Sequence, residues 1–181
     1  MKVTPLKLEG LKLVELSIHG DQRGFFVERF HEDKFMSQGL PTRFLQDNHS
    51  RSAPQVLRGL HYQTLPPQGK LVGVVHGKIW DVVVDIRPQS PTLGQSYGIE
   101  LSDQNGKLLW IPHGFAHGFC VLGETPADVL YKVDGLYNPD SEGGILWNDP
   151  ELKISWPIEN PIVSKRDQAL PQFEEWRKIF L

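Results

Sequence analysis

Apolar and polar residues alternate along this chain in short runs, interrupted about every eight to twelve residues by clusters of Gly, Pro, Asn or Asp. Residues 3–8 and 11–18 alternate as strands that can pair with their own barrel or with a second copy of the chain. Residues 19–24 read as a loop. Residues 25–30 read as a strand with Phe26, Glu28 and Phe30 on one face, where Glu28 either meets solvent or needs a partner. A short helix over 32–38 is stopped by Gly39 and Pro41. A strand over 44–49 carries the polar run Gln46-Asp47-Asn48-His49, and 50–54 is loop. In the strand over 56–63, strict alternation puts Arg58 and His61 on opposite faces; a bulge at Gly59 brings them together.

The second half continues in the same manner. The strand over 70–76 gives Lys70, Val72, Val74 and His76 one face, and the β-branched run 79–87 groups Asp81 and Asp85 with Ile79 and Val83. Asn105-Gly106 predicts a two-residue hairpin joining 97–101 to 108–111. Pro112 and Gly114 then bend the chain into a strand bearing His117, and 129–133 places Val129, Tyr131 and Val133 together. Residues 137–147 are loop-like, 152–156 form a last short strand, and Phe173, Trp176 and Phe180 recur at helical spacing in a C-terminal helix. Many short strands with turn signals between them predict an all-β sandwich or barrel in one domain.

Composition narrows the class. The chain of 181 residues is 39% hydrophobic, with 14 Pro and 17 Gly, as expected of one turn-rich globular domain. A net charge of −3 gives no electrostatic reason to expect nucleic acid. No apolar run approaches the roughly 20 residues that span a bilayer, so no membrane partner is expected, and Met1 to Pro5 lacks a signal-peptide core. Cys120 is the single cysteine, which excludes an internal disulfide and fits the cytoplasm.

The run from Gly106 to Leu122 spaces Gly106, Pro112, Gly114 and His117 as the second motif of the cupin superfamily does, with Val121 where that pattern usually ends in Asn. Many cupins hold a transition metal, so the first motif decides the chemistry. His61 stands at its first His, but the second position is Gln63 and the acid positions are Pro67 and Gln68. A ligand set so depleted in charge suits a divalent metal poorly, and no cofactor is expected. His61, Lys70, His117 and Tyr131 remain, polar residues on otherwise apolar strands. Each alone reads equally well as a satisfied polar residue of the core or the barrel mouth. Together they make an acid/base set: imidazoles that exchange protons near neutral pH, a phenol that donates, and an ammonium that stabilises an oxyanion. That chemistry suits proton abstraction beside a carbonyl. It does not suit nucleophilic hydrolysis, since Cys120 sits in an apolar run and no Ser occupies an elbow motif.

Longer motifs make the resemblance more specific. Leu57-Arg-Gly-Leu-His-Tyr-Gln63, the Pro112–Phe119 turn, Tyr131-Lys132 followed by Tyr137, the Glu142–Pro150 run and Ser164-Lys-Arg-Asp167 together resemble the dTDP-4-dehydrorhamnose 3,5-epimerases, cupin-fold enzymes of dTDP-L-rhamnose synthesis. The resemblance runs from about Arg23 to Asp167; Arg166 departs from it, where Lys is more usual, but keeps the charge. It implies a cupin-type jelly-roll β-barrel with short peripheral helices. It implies His61 as base with Asp167 as its orienting partner, Tyr131 as acid on the opposite face of the sugar, and Lys70 on the enolate. Arg23, Glu28, Gln46, Asp47, Asn48, Arg58, His117, Glu142 and Arg166 match positions lining the substrate site, and Asp81 is a candidate second support for His61. The implied substrate is dTDP-4-keto-6-deoxy-D-glucose, converted without a cofactor to dTDP-4-keto-L-rhamnose, and the implied assembly is a homodimer. Rival readings are a single-carbon epimerase or ketoisomerase, a metal-dependent cupin oxygenase, and a non-catalytic sugar-binding barrel.

Overall fold

The computed structural model describes residues 1–180. Its strands run β1 (Lys2–Pro5), β2 (Lys12–Glu15), β3 (Ile18–Asp21), β4 (Gly24–Val27), β5 (Gln46–Ser52), β6 (Val56–Gln63) and β7 (Lys70–His76). They continue as β8 (Lys78–Asp85), β9 (Ser96–Ser102), β10 (Lys107–Ile111), β11 (Phe115–Val121), β12 (Ala127–Val133), β13 (Glu142–Gly144) and β14 (Ile162–Val163). The helices are α1 (Glu32–Ser37), α2 (Lys165–Gln168) and α3 (Phe173–Phe180).

Two sheets face each other. The first has the order β1-β2-β10-β7-β12-β5; the second has β13-β6-β11-β8-β9, with β14 alongside β6. From β5 to β13 the chain therefore crosses between the sheets at every step except β8 to β9, which is the jelly-roll wiring of the cupins. Between the sheets lie Val72, Val74, Ile79, Val83, Leu101, Leu109, Phe115 and Val129, the inward half of each alternating strand. Leu8, Leu11 and Ile79 are fully buried, and each such side chain contributes about 1.5–3 kcal/mol. A second apolar layer, with Val82, Val84, Ile145, Phe173 and Trp176, backs one sheet; a third, with Val14, Phe35, Leu71, Leu108 and Trp110, backs the other.

Several sequence expectations change. The predicted loop 19–24 is a hairpin: β3 and β4 pair from Ile18↔Val27 to Asp21↔Gly24, with the Asp21 carboxylate accepting the Arg23 N–H at 2.8 Å. Strand β4 ends at Val27; Phe30 turns inward onto Phe35 and Phe44, while Glu28 faces outward to Lys34 at 2.6 Å. Strand β5 runs on to Ser52 because β12 pairs with it along its whole length, through Ala127↔Ser52. Asn105-Gly106 is not a hairpin. It is the corner where the chain leaves the second sheet (β9) for the first (β10), and of the two only Gly106 has positive φ, at 59°. Residues 152–156 form no strand; Leu152, Ile154 and Trp156 pack against the layer behind the second sheet. The last strand is β14, parallel to β6. β1 and β2 pair with each other, and β2 with β10 of the same chain.

The expected bulge at Gly59 is present. His117 pairs with His61 and Phe119 with Arg58, so Gly59 and Leu60 of β6 together oppose the single Gly118 of β11. Gly59 has φ 108°, and a Cβ there would lie 2.7 Å from the Gly118 Cα. Only glycines allow this approach. The extra residue turns Arg58 and His61 to the same side.

Candidate active site

A cavity of about 380 Å³ opens between the sheets, lined by polar residues from both. The first sheet supplies Gln46, Asn48 and Ser50 from β5, Lys70 from β7 and Tyr131 from β12; the second supplies Arg58 and His61 from β6, His117 from β11 and Glu142 from β13. Gln68, Phe119, Val129 and Tyr137 complete the wall. His61 and Tyr131 thus stand on opposite sheets with the cavity between them.

His61 is oriented from behind. Its Nε2 lies 2.7 Å from the Asp167 Oδ1, and the other carboxylate oxygen accepts the Gly59 N–H at 3.2 Å. The edge of β6 explains this placement. β13 covers His61 to Gln63 and β14 covers Val56 and Leu57, leaving the bulged Gly59 amide for a side chain to satisfy. Asp167 enters that gap on α2, whose N-cap Ser164 accepts the Asp167 N–H at 3.0 Å. Burial works to raise the Asp167 carboxyl, but the His61 bond and charge, the Gly59 amide and Ser164 outweigh it and leave it below its ordinary value. Asp167 is therefore a buried anion matched to an imidazole.

Asp81 takes a different place from the one considered in sequence. It is fully buried and its Oδ2 lies 2.8 Å from the Nε2 of His117, not His61. Alternation on β8 points it inward with Ile79 and Val83, opposite Phe119 and one pleat from His117. Lys70 is pulled by burial down to about 8, against the opposing influence of Glu142 and Asp81. Burial also raises the Tyr131 phenol; Glu142 and Tyr137 act in the same direction and Arg58 against it, so the hydroxyl keeps its proton near neutral pH. Glu142 is held by Arg166 and by the Tyr137 hydroxyl at 3.0 Å, bonds that outweigh its burial and lower it.

Four of the candidates for lining the substrate site lie outside the cavity wall. Arg23 is 85% exposed on the β3–β4 hairpin and pairs with Asp21. Glu28 is bound to Lys34 outside. Asp47 points to the far face of β5, as alternation with Gln46 and Asn48 requires, and meets Lys132 at 2.7 Å. Arg166 reaches the rim only through Glu142. Tyr137, Gln68, Ser50, Phe119 and Val129 were not singled out as site residues; for Ser50 and Gln68, placed in predicted loops, sequence carried no signal. Gln63, at the metal-ligand position, instead bonds loop backbone. Among the described residues no group of three or more His, Cys, Asp or Glu side chains is arranged to hold a metal ion.

Known proteins share the sequence pattern and the fold. The dTDP-4-dehydrorhamnose 3,5-epimerase family model matches residues 5–175. The enzyme of that name from Pseudomonas aeruginosa is 50% identical over 177 residues, covering 97% of this chain and 97% of that protein. A dTDP-4-dehydrorhamnose 3-epimerase from Streptomyces niveus is 39% identical over 170 residues, covering 93% of this chain and 82% of that protein. The crystal structure of dTDP-6-deoxy-D-glucose-3,5-epimerase from Legionella pneumophila in complex with dTDP-4-keto-L-rhamnose has a TM-score of 0.91 and 46% identity, covering 96% of this chain and 93% of that one. A two-sheet cupin barrel, a cavity with His61 and Tyr131 on facing walls and a match along nearly the whole chain lead to one assignment: the protein belongs to the dTDP-4-dehydrorhamnose 3,5-epimerase family.

Proposed function

We propose that this chain, acting as one domain without a cofactor, epimerises C3 and C5 of dTDP-4-keto-6-deoxy-D-glucose to give dTDP-4-keto-L-rhamnose. The observation that carries the reading is the opposition of His61 and Tyr131 across the cavity. Inversion requires a proton to leave one face of the ring and another to arrive at the opposite face. With the His61 Nε2–H donated to Asp167, Nδ1 carries the lone pair and acts as base, and Asp167 supports the imidazolium that forms. C3 and C5 both flank the 4-ketone, so removing either proton yields an enolate on the same oxygen. The Lys70 ammonium stabilises that oxyanion, and Tyr131 delivers the new proton.

Arg58 meets the diphosphate, since a guanidinium fork bonds its oxygens bidentately. Glu142, with Arg166 behind it, and the polar pair Gln46 and Asn48 line the nucleotide side, where the half-exposed ring of Tyr137 offers a flat apolar face to a base. Anchoring the nucleotide supplies orientation remote from the reacting carbons. Higher identity to a 3,5-epimerase than to a 3-epimerase favours inversion at both carbons over one.

The working unit is a homodimer in the cytoplasm. Phe25 and Phe26 are 67% and 68% exposed on the β3–β4 hairpin, beside exposed Ile18, an apolar surface that a second copy would cover. Such a hairpin would carry Arg23 to the mouth of the partner's cavity, consistent with its position off the wall of its own. No helix among the described residues is long and apolar enough to cross a membrane.

The test is NMR of the product after turnover in deuterated water. Deuterium at C3 and C5 with inversion at both is expected; no exchange at either carbon overturns the epimerase reading.

A further inference from the structure

Gln63 is a buried polar residue, 8% exposed, two positions beyond the base on β6. In a metal-bearing cupin its position holds a ligand; here the side-chain amide is fully engaged elsewhere. Its Nε2 donates to the Pro66 carbonyl at 2.6 Å and to the Leu136 carbonyl at 2.9 Å, and its Oε1 accepts the Asn138 N–H at 2.8 Å. Leu136 and Asn138 are the residues immediately before and after Tyr137. One amide therefore grips the backbone on both sides of the aromatic residue at the cavity mouth, and ties it to the 64–69 loop that leads into Lys70. Other ties run parallel: Asn138 Nδ2 donates to the Leu65 carbonyl at 2.7 Å and Gln68 Nε2 to the Gly135 carbonyl at 2.9 Å.

Tyr137 has few other restraints. Its N–H donates to Gln46 Oε1 at 3.0 Å and its hydroxyl to Glu142 Oε2, both side chains of the substrate wall, while half of the residue is open to solvent. The Gln46 bond holds the loop backbone at Tyr137 itself, and the Gln63 amide holds it on either side. A primary amide is the one side-chain group that offers two N–H donors and an acceptor on one planar head, which these two carbonyls and one amide require.

We propose that Gln63 is a positioning residue for nucleotide affinity: it acts through Tyr137, holding the loop so that the ring lies against the nucleotide, and takes no part in the proton transfers. The proposal rests on the nucleotide-sugar reading above. It assigns a purpose to a polar position of the first cupin motif that the chemistry leaves unused.

Gln63→Glu tests it, because the replacement keeps the shape and makes the hydrogen bonding depend on pH. As a carboxylate it opposes the Pro66 and Leu136 carbonyls; protonated, it regains one donor. Calorimetry with dTDP alone, on wild type and variant, should give dissociation constants in a ratio of about 2 near pH 5 that rises to about 10 or more near pH 8. The kcat for the keto-sugar should stay within about 3-fold, the loss appearing in KM. In a Tyr137→Ala background the same change should alter the dTDP dissociation constant by less than about 2-fold, since a residue acting through Tyr137 has nothing left to act on. Gln63→Met, which keeps the packing and cannot titrate, should weaken dTDP equally at both pH values and serves as the second variant if Gln63→Glu does not fold. A folded variant with unchanged affinity overturns the proposal. So does a loss independent of pH in Gln63→Glu, or an equal loss in the Tyr137→Ala background, either of which would make Gln63 a support of the fold alone. Failure of the unmodified protein to bind dTDP would overturn the nucleotide reading itself, and the role of Gln63 with it.

Discussion

The Asp167 carboxylate reaches across 106 positions of sequence to the His61 ring at 2.7 Å, and with its second oxygen it closes the bulge that brings His61 into the cavity. One side chain thus orients His61 and secures the backbone irregularity that presents it. His61→Asn should abolish both inversion and solvent exchange. Asp167→Asn should leave the base in place but remove the charge behind the imidazolium and reverse one donor–acceptor relation, lowering kcat by about 10²-fold or more, short of the His61 loss. NMR-detected exchange at C3 and C5 in folded variants checks both. Unaltered exchange in His61→Asn would show that another group is the base.

Tyr131→Phe separates proton removal from proton delivery. The enolate still forms, and the protonated His61 can return a solvent-derived deuteron to the face it came from. Deuterium should therefore enter with retained configuration while inversion falls steeply. Burial of the ring is kept, so the stability cost should be no more than about 1 kcal/mol. Near-normal inversion in a folded Tyr131→Phe protein would assign the acid role elsewhere.

Lys70 places a pH limit on catalysis. Burial brings its ammonium down to about 8, so the charged form that the proposed mechanism sets against the enolate is lost as pH rises through that value. The kcat/KM profile should fall on the alkaline side near there, and Lys70→Arg, which keeps its charge, should move that limb upward even at reduced rate. Lys70→Met should cost about 10²–10³-fold in kcat. The same shift has a stability sign. The unfolded lysine, at 10.5, binds its proton more tightly than the folded one, so between about 8 and 10.5 stability should rise with pH from this group. An alkaline limb unmoved in Lys70→Arg would remove Lys70 from the chemistry.

The β3–β4 hairpin carries the dimer prediction. Sedimentation should give twice the 20.6 kDa chain mass for the wild type. Phe25→Ser with Phe26→Ser should shift the mass toward one chain while leaving the far-UV circular dichroism of the barrel little changed, because both rings are mostly exposed in the single chain. A dimer that survives the double substitution would place the interface on another surface.

Much of the architecture is local and was therefore readable along the chain. Alternation located the inward faces of β7, β8 and β12, and with them Lys70, Asp81 and Tyr131, because a strand's side chains repeat with period two whatever they pair with. Gly59 signalled its bulge because only glycine adopts that backbone at so close an approach. Family motifs supplied His61 with Asp167 as a pair before any distance was known. Other features depend on partners remote in sequence. Whether Asn105-Gly106 makes a hairpin or a corner depends on which strand β10 finds, and β2 and β7 claim both its edges. Whether 50–52 is loop or strand depends on β12, 77 positions away from Arg51 at its contact with Asp128. Asp81 could have served either imidazole; the pairing of β8 with β11 gave it to His117. Gln63 read in sequence as a failed metal ligand, and only the packing of two loops over it revealed a satisfied amide. Period and backbone sterics are carried by each segment alone, whereas hydrogen-bond partners are chosen by whatever the folded chain brings within 3 Å, roughly the length of one such bond.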